Sequence, residues 1–295
     1  MSWQRTVNNA LVRFTGFQFN RVGKAGFSPI VTPVGPARES AAKELVRPPA
    51  DPGADRLLTA PIFILSPVRS GSTLLRSVLN AHSMVHAPHE LHVRRLTVGF
   101  GTPLSRKAMD ALGHNQADLE HLLWDRVLHR ELVRSGKTFI ADKTPANAFA
   151  FERIATCWPD ARFVFLLRHP ASIAKSWHEA GPDRRTPEEA ALDALRYMKA
   201  VQRARRALTG LTVRYEDLTE EPETQIRRIC DFLGVPWEPK MLSYGEQTVI
   251  QKGLGDWKDK IQTGAVQRGR DLPTPDQIPD VLRPISVTWG YLAAA

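Results

Sequence analysis

An apolar run, Ile62-Phe63-Ile64-Leu65, breaks at Ser66-Pro67 into a tight loop, Val68-Arg69-Ser70-Gly71-Ser72-Thr73. The loop opens directly into an apolar-periodic segment marked by Leu74, Leu75, Val78 and Leu79. Such a pattern leaves one local structure: a buried strand, a sharp turn at a lone glycine, and a helix start. Backbone N–H groups converging on a helix N-terminus make an anion site, which the hydroxyls of Ser70, Ser72 and Thr73 reinforce. The nucleoside-triphosphate version needs Gly, four residues, then Gly-Lys-Ser/Thr. Here the basic residue, Arg69, precedes a single glycine. The loop is therefore expected to bind a phosphate whose chemistry is not ordinary ATP hydrolysis.

The 295 residues have room for one large α/β domain or two small ones, and 42% hydrophobic with 24% charged residues is an ordinary globular balance. A net charge of +9 admits nucleic acid, an acidic membrane or a polyanionic small ligand as partner. The densest basic group, Arg203, Arg205 and Arg206, has no RNA-binding or zinc spacing around it and reads as a solvated helix face, so nucleic acid is not expected. Cys157 and Cys230 form no Cys-x-x-Cys pair and are expected to be buried free thiols. No run of 18 apolar residues is present and the N-terminus lacks a signal-peptide core, so neither a membrane span nor export is expected, and a cytoplasmic location follows by elimination. Carboxylates are not clustered, so no metal is expected.

Residues 1–58 form a Pro-rich irregular arm, with Pro29, Pro33, Pro36, Pro48, Pro49 and Pro52 crowded into its second half. Leu11, Phe14, Phe17 and Phe19 alternate with Arg13 and Arg21 ahead of them. Docking onto the same chain is the preferred reading, with a dimer contact or a membrane-surface helix as alternatives. Residues 59–295 read as one α/β domain whose end, 243–295, is an irregular lid or tail. Short apolar runs at Ile62–Leu65, Thr138–Ala141, Arg162–Leu167 and Leu211–Arg214 are buried parallel strands. Helices are expected over Thr73–Asn80, Ala117–Arg134, Ala146–Cys157, Ala171–His178, Thr186–Leu208 and Pro222–Leu233. Alternating strands and helices imply a single doubly wound domain with a central parallel sheet, and ligands at the carboxyl ends of its strands.

A second anion site is legible at Phe165-Leu166-Leu167-Arg168-His169-Pro170, continuing to Ser176. Arg168 ends a buried strand, Pro170 suits a first helical turn, and Ser176 lies two turns on. An arginine fork with a hydroxyl makes a phosphate clamp. Taken alone, the same residues also fit a helix cap with a surface salt bridge.

Together the two sites resemble the sulfotransferases that use 3′-phosphoadenosine 5′-phosphosulfate (PAPS). In that family a Lys/Arg-Ser-Gly-Ser/Thr-Thr loop binds the 5′-phosphosulfate, and an Arg followed eight residues later by Ser holds the 3′-phosphate. Arg69-Ser70-Gly71-Ser72-Thr73, running into Leu74, and Arg168 with Ser176 match both. Arg214-Tyr215-Glu216-Asp217-Leu218 adds a tyrosine like the adenine-contacting one, and Gly255-Asp256-Trp257-Lys258 lies in the tail. The likeness covers roughly Pro61 to Lys258 and implies PAPS as donor, no metal, and a P-loop-like phosphosulfate-binding loop. Two departures stand out. Gln251-Lys252-Gly253 replaces an Arg-Lys-Gly, leaving Lys252 and Gly253 to finish the 3′-phosphate site. Where cytosolic members carry Lys-Thr-His, with His as base, this chain has Lys143-Thr144-Pro145. Bacterial and Golgi-type branches share Lys-Thr-Pro and use a carboxylate. By that likeness Glu90, in Ala87-Pro88-His89-Glu90-Leu91-His92, is the expected base, with Lys143 and Arg69 as its catalytic partners.

His89 and His92 are expected to line the acceptor site or to take the base role themselves, and His82 and His86 to be structural. The expected acceptor is a hydroxyl of a small molecule, lipid or carbohydrate. The acceptor pocket is expected in loops at Val93–Asn115 and Glu179–Pro187, with the tail as a further candidate, and Phe100, Leu104 and Met109 make the first of these loops lean apolar. A P-loop kinase-like phosphotransferase is the competing enzyme reading, disfavoured by the missing Gly-Lys-Ser/Thr and by the lack of an evident acidic strand end for magnesium. A non-catalytic nucleotide-binding protein of the same fold is the third reading. Homo-oligomerisation stays open.

Overall fold

The computed structural model describes residues 46–247 and 264–293. Five strands, β1 (Ile62–Leu65), β2 (Val85–His86), β3 (Phe139–Asp142), β4 (Arg162–Leu167) and β5 (Gly210–Arg214), form one sheet. Its order is β2-β3-β1-β4-β5, and every neighbouring pair is parallel. The chain leaves β1 toward β2 on one side and later crosses to β4 on the other. The loop after β1 therefore sits where the winding direction reverses, the usual ligand crevice of such sheets.

The strands read as continuous apolar runs because both faces of the sheet are covered. On one face Ile62, Ile64, Ala141, Val164, Leu166 and Val213 pack against α1 (Ser72–Ala81) and, from the far end of the chain, α8 (Pro222–Leu233). On the other, Phe63, Leu65, Ile140, Phe163, Phe165 and Leu167 meet α3 (Gln116–Ser135), α4 (Phe151–Cys157), α5 (Pro170–Glu179) and α6 (Pro187–Ala207). Each fully buried Leu, Ile or Phe contributes about 1.5–3 kcal/mol, so the alternation along β1 and β4 holds the register. Helix ends are set locally. Capping boxes at Asn115/Asp118 and Thr186/Glu189 start α3 and α6, and left-handed Gly136 and Gly234 close α3 and α8. Cys157 and Cys230 are buried free thiols, and burial pushes their pKa values up to about 12 and about 11.

Several expectations needed correction. The strand β2 was not expected; it is only two residues long. The helix expected over Ala146–Cys157 is split, with a 3-10 turn at Pro145–Phe149 ahead of α4. The stretch 93–115 is not all loop: it carries a 3-10 turn, Val93–Arg95, and the helix α2 (Pro103–Ala111), which has no buried residue. A short helix, α7 (Tyr215–Glu220), follows β5 directly. The tail is not irregular throughout. 3-10 turns at Pro275–Gln277 and Asp280–Leu282 lead into α9 (Arg283–Thr288), and this stretch docks on the core through Ile278, Leu282, Ile285 and Trp289, all buried. Leu282→Ala should therefore cost about 2–5 kcal/mol by chemical denaturation, the price of a truncated core leucine; a loss under 0.5 kcal/mol would mean the tail is peripheral.

Of the arm, Leu57 and Leu58 are docked on the domain. Their N–H groups donate to the buried Asp125 of α3, and Leu58 is buried. Residues 1–45 lie outside the described residues. Among the described residues no helix is long and apolar enough to cross a membrane.

Candidate active site

The loop after β1 holds two residues in the left-handed region, Arg69 at φ 60° and Gly71 at φ 86°. Gly71 is needed twice over: a Cβ placed there would lie 2.2 Å from Cδ2 and 2.5 Å from Cε2 of Tyr215. The tyrosine ring thus lies directly on the loop. The Arg168 guanidinium stands over the same ring, 4.5 Å from its centroid, and donates from Nη1 to the Arg69 carbonyl at 2.9 Å. Arg69 Nε donates to Ser176 Oγ at 3.2 Å, which turns the first cation toward the second. Ser70 is spent on structure, its hydroxyl donating to the Pro67 carbonyl at 2.8 Å. Ser72 and Thr73 form the first turn of α1.

Arg69, Leu74, Arg168, Ser176 and Tyr215 line one cavity of about 180 Å³. Burial lowers the pKa of both arginines from the usual arginine value, and for Arg69 the charge of Arg168 adds to the effect. Arginine nonetheless stays protonated, and among the described residues neither guanidinium has a carboxylate partner within salt-bridge distance. Two guanidiniums facing one cavity make a strong site for a multiply charged anion.

A second cluster adjoins the loop at the start of α1. Lys143, next after β3, is 1% exposed in its side chain and Glu90 13%. The ammonium donates to Glu90 Oε1 at 2.6 Å and reaches Thr73 Oγ1 at 3.4 Å. His92 Nε2 lies 3.3 Å from the other carboxylate oxygen, and its ring is about half exposed. The segment carrying Glu90 is irregular. Asn80 Oδ1 of α1 accepts from Ala87 N–H and Arg76 Nη1 donates to the Ala87 carbonyl, fixing the start of that segment.

The sequence-derived site residues therefore fall into two adjoining groups. Arg69, Leu74, Arg168, Ser176 and Tyr215 line the cavity, with Gly71 packed against the Tyr215 ring, while Thr73, Lys143, Glu90 and His92 form a connected polar set. His89 joins neither; it lines a separate cavity of about 400 Å³ with Arg76, His86 and Lys137. His82 is structural, bridging the Pro236 carbonyl and the Met84 N–H. Lys252, Gly253 and Gly255-Asp256-Trp257-Lys258 lie outside the described residues.

The far wall of the cavity, formed by Tyr244, Gln267, Arg268 and Arg270, lies outside the motifs expected to bind. Arg270 Nη1 is held by Glu179 at 3.0 Å, and a Cβ on Gly269 would lie 3.5 Å from Tyr215 Cε1. The signal was present: Gln267-Arg268-Gly269-Arg270 is a basic-Gly pattern of the type sought at Lys252. The lack of an acidic strand end is also corrected. Asp142 ends β3 beside Phe63 of β1 and is buried. Its oxygens accept from Thr144 Oγ1 at 2.8 Å and Asn147 Nδ2 at 2.9 Å. Burial pushes its carboxyl above the usual range, partly offset by those hydrogen bonds.

Residues 61–239, more than half of the chain, match the family model described as "Sulfotransferase family". Nodulation protein NoeE of Sinorhizobium fredii is 26% identical over 270 residues, covering 72% of this chain and 64% of its own. Protein-tyrosine sulfotransferase 1 of Danio rerio is 24% identical over 244 residues, covering 77% of this chain and 63% of its own. The chain spans less than two thirds of the length of either relative. Among solved structures, the sulfotransferase domain from the curacin biosynthetic pathway superposes with a TM-score of 0.59 at 22% identity, covering 80% of this chain and 99% of that one. The sulfotransferase domain of the Synechococcus PCC 7002 olefin synthase gives 0.57 at 23% identity, covering 81% and 98%. These two share the fold.

Proposed function

The chain belongs to the sulfotransferase family, and from that premise we propose that it transfers the sulfuryl group of PAPS to an acceptor hydroxyl, with Glu90 as the base. The convergence of Arg69, Leu74, Arg168, Ser176 and Tyr215 on one cavity carries the reading. Residues that match the family's two phosphate motifs, about a hundred positions apart in sequence, meet there around a tyrosine ring suited to stacking on a base.

PAPS supplies an electrophilic sulfur whose leaving group is a 5′-phosphate. The residues of this chain then have three tasks. Arg168 and Ser176 hold the 3′-phosphate, with Arg268 of the far wall adding positive charge. The loop amides, Thr73, Arg69 and Lys143 meet the charge that grows on the sulfuryl and leaving oxygens, where a pre-organised cation costs no reorganisation. Glu90 takes the acceptor's proton as the new O–S bond forms and the old one to phosphate breaks. The acceptor classes proposed are a small molecule, a lipid or a carbohydrate. The tyrosine sulfotransferase among the relatives adds a phenolic hydroxyl to be tried.

Calorimetric titration with adenosine 3′,5′-bisphosphate, the product of PAPS, tests the reading against ATP as control. Micromolar binding of the bisphosphate with ATP much weaker is expected; preference for ATP would favour the kinase-like alternative and end this one. Arg168→Ala should weaken the bisphosphate by about 10- to 100-fold, the value of a charged hydrogen bond, and adenosine 5′-phosphate far less. Equal loss for both nucleotides would remove Arg168 from the 3′-phosphate.

A further inference from the structure

Glu90 lies in an irregular segment, between β2 and the 3-10 turn at Val93–Arg95, where no ladder or helix fixes the backbone. Its far end carries a strained residue. His92 sits at φ 50°, and among the described residues only Ala60 and Arg69 share a positive φ without being glycine. Two of those three belong to the site. Such conformations persist where the surroundings hold them, and they gather where a side chain must be aimed.

The holder of His92 can be read from the hydrogen bonds. His92 N–H donates to Thr144 Oγ1 at 3.2 Å, and Thr144 Oγ1 donates in turn to Asp142 Oδ1 at 2.8 Å. A hydroxyl has one proton. Because that proton is committed to Asp142, the Thr144 oxygen presents only lone pairs to His92. The direction of the whole chain is set by Asp142, an acceptor whose other oxygen is occupied by Asn147 Nδ2 at 2.9 Å. Asp142 and Thr144 are buried, so no bulk water competes for these bonds. Lys143, between them in sequence, grips the Glu90 carboxylate at 2.6 Å. One short strand end thus holds the base twice, by its side chain through Lys143 and by its backbone two residues on through Thr144.

We propose that Asp142 and Thr144 are positioning residues that fix the backbone at His92 and thereby aim Glu90. The role as a base rests on the function proposed above; the mechanical link does not. Neither residue touches the reacting atoms. They act by keeping Glu90 in one place, and a small misplacement of a base is expensive in rate.

The test compares Thr144→Val, which keeps the shape and removes the hydroxyl, with Thr144→Ser, which keeps the hydroxyl, and with Asp142→Asn, which turns one of two acceptors into a donor and so breaks the pair of bonds from Thr144 and Asn147. Amide hydrogen exchange at His92 is the first readout. Thr144→Val and Asp142→Asn should speed it by about 10-fold, the worth of one hydrogen bond. Thr144→Ser should stay near wild type, and β1 should be unaffected in all three. The second readout is conversion of PAPS to the bisphosphate with 4-nitrophenol as acceptor. There Thr144→Val and Asp142→Asn should lower kcat by roughly 10- to 100-fold with KM for PAPS unchanged, and Thr144→Ser should restore kcat. Unaltered exchange at His92 in Thr144→Val, or a Thr144→Ser protein as damaged as Thr144→Val, would overturn the proposal. If the wild-type protein neither binds the bisphosphate nor turns over PAPS, the functional reading fails, and the exchange comparison still decides the positioning link.

Discussion

Glu90→Gln is expected to cut sulfuryl transfer by roughly 10²–10⁴-fold, the usual worth of a general base, while the affinity for adenosine 3′,5′-bisphosphate stays as in wild type. The substitution keeps size and shape and removes only the capacity to take a proton. Its amide carbonyl can still accept from Lys143, 2.6 Å from the native carboxylate oxygen, so the buried ammonium is not left bare. Losing the opposite charge still costs stability. Removing one partner of a fully buried pair costs about 3–5 kcal/mol; the amide contact and the 13% exposure of Glu90 bring the expected loss to about 1–2 kcal/mol. The pattern of kcat falling at constant nucleotide affinity marks a group that acts only in the transition state. Unchanged turnover would dismiss Glu90. His92, 3.3 Å from the same carboxylate, would then be the candidate base, and His92→Gln the next variant.

What could be read beforehand divides along physical lines. Ile62–Leu65 and Arg162–Leu167 were legible to the residue because a strand covered on both faces must be apolar throughout. Val85–His86 gave no such run. The helix at Pro103–Ala111 buries nothing although Leu104, Ala108, Ala111 and Leu112 recur at helical spacing, and Pro103 with the Thr102/Ser105 capping box marks its start. In the tail the stripe was present: Ile278, Leu282, Ile285 and Trp289 follow one another at steps of four, three and four residues. Pro273, Pro275, Pro279 and Pro284 obscured it, since proline argues locally against a helix while tolerating a first turn.

The site divides in the same way. The half around the two arginines is built from short contiguous motifs, so Arg69, Gly71, Arg168 and Ser176 stood out in the sequence. The proximity of Lys143 and Glu90 could not be seen there. It follows from β2 and β3 lying side by side, and Glu90 was reached through family likeness rather than through any local signal. Asp142 is instructive. Its position at a strand end resembles that of a magnesium-binding carboxylate, yet both oxygens are turned to Thr144 and Asn147. Sequence gives the position of a carboxylate and says nothing of where it points.

Gly71→Ala should abolish measurable binding of the bisphosphate, a loss of at least roughly 100-fold, and destabilise the domain by about 2–4 kcal/mol. Two costs combine. An L-residue at φ 86° pays about 1–2 kcal/mol for the left-handed region. The added methyl also meets the Tyr215 ring at 2.2 and 2.5 Å, distances that no relaxation of a few tenths of an ångström removes. The ring has little room to retreat, with Arg168 over it at 4.5 Å and Gly269 close to its Cε1 edge. If the ring moves, Arg168 loses its stacking partner and its hold on the Arg69 carbonyl. If the loop moves, its amides leave the anion site. Either way the cavity that gathers the two cations is lost. Gly136→Ala separates the two costs: that glycine is also left-handed, at φ 67°, but a Cβ there meets nothing within 4 Å. It should lose only about 1–2 kcal/mol and bind the bisphosphate as wild type. Adding Tyr215→Ala to Gly71→Ala should recover part of the stability, because the clash is gone, and none of the affinity, because the stacking ring is gone with it. A Gly71→Ala protein that bound the bisphosphate normally would mean that the nucleotide does not depend on the packing of Tyr215 against the loop, and the donor site would have to be sought elsewhere on the sheet.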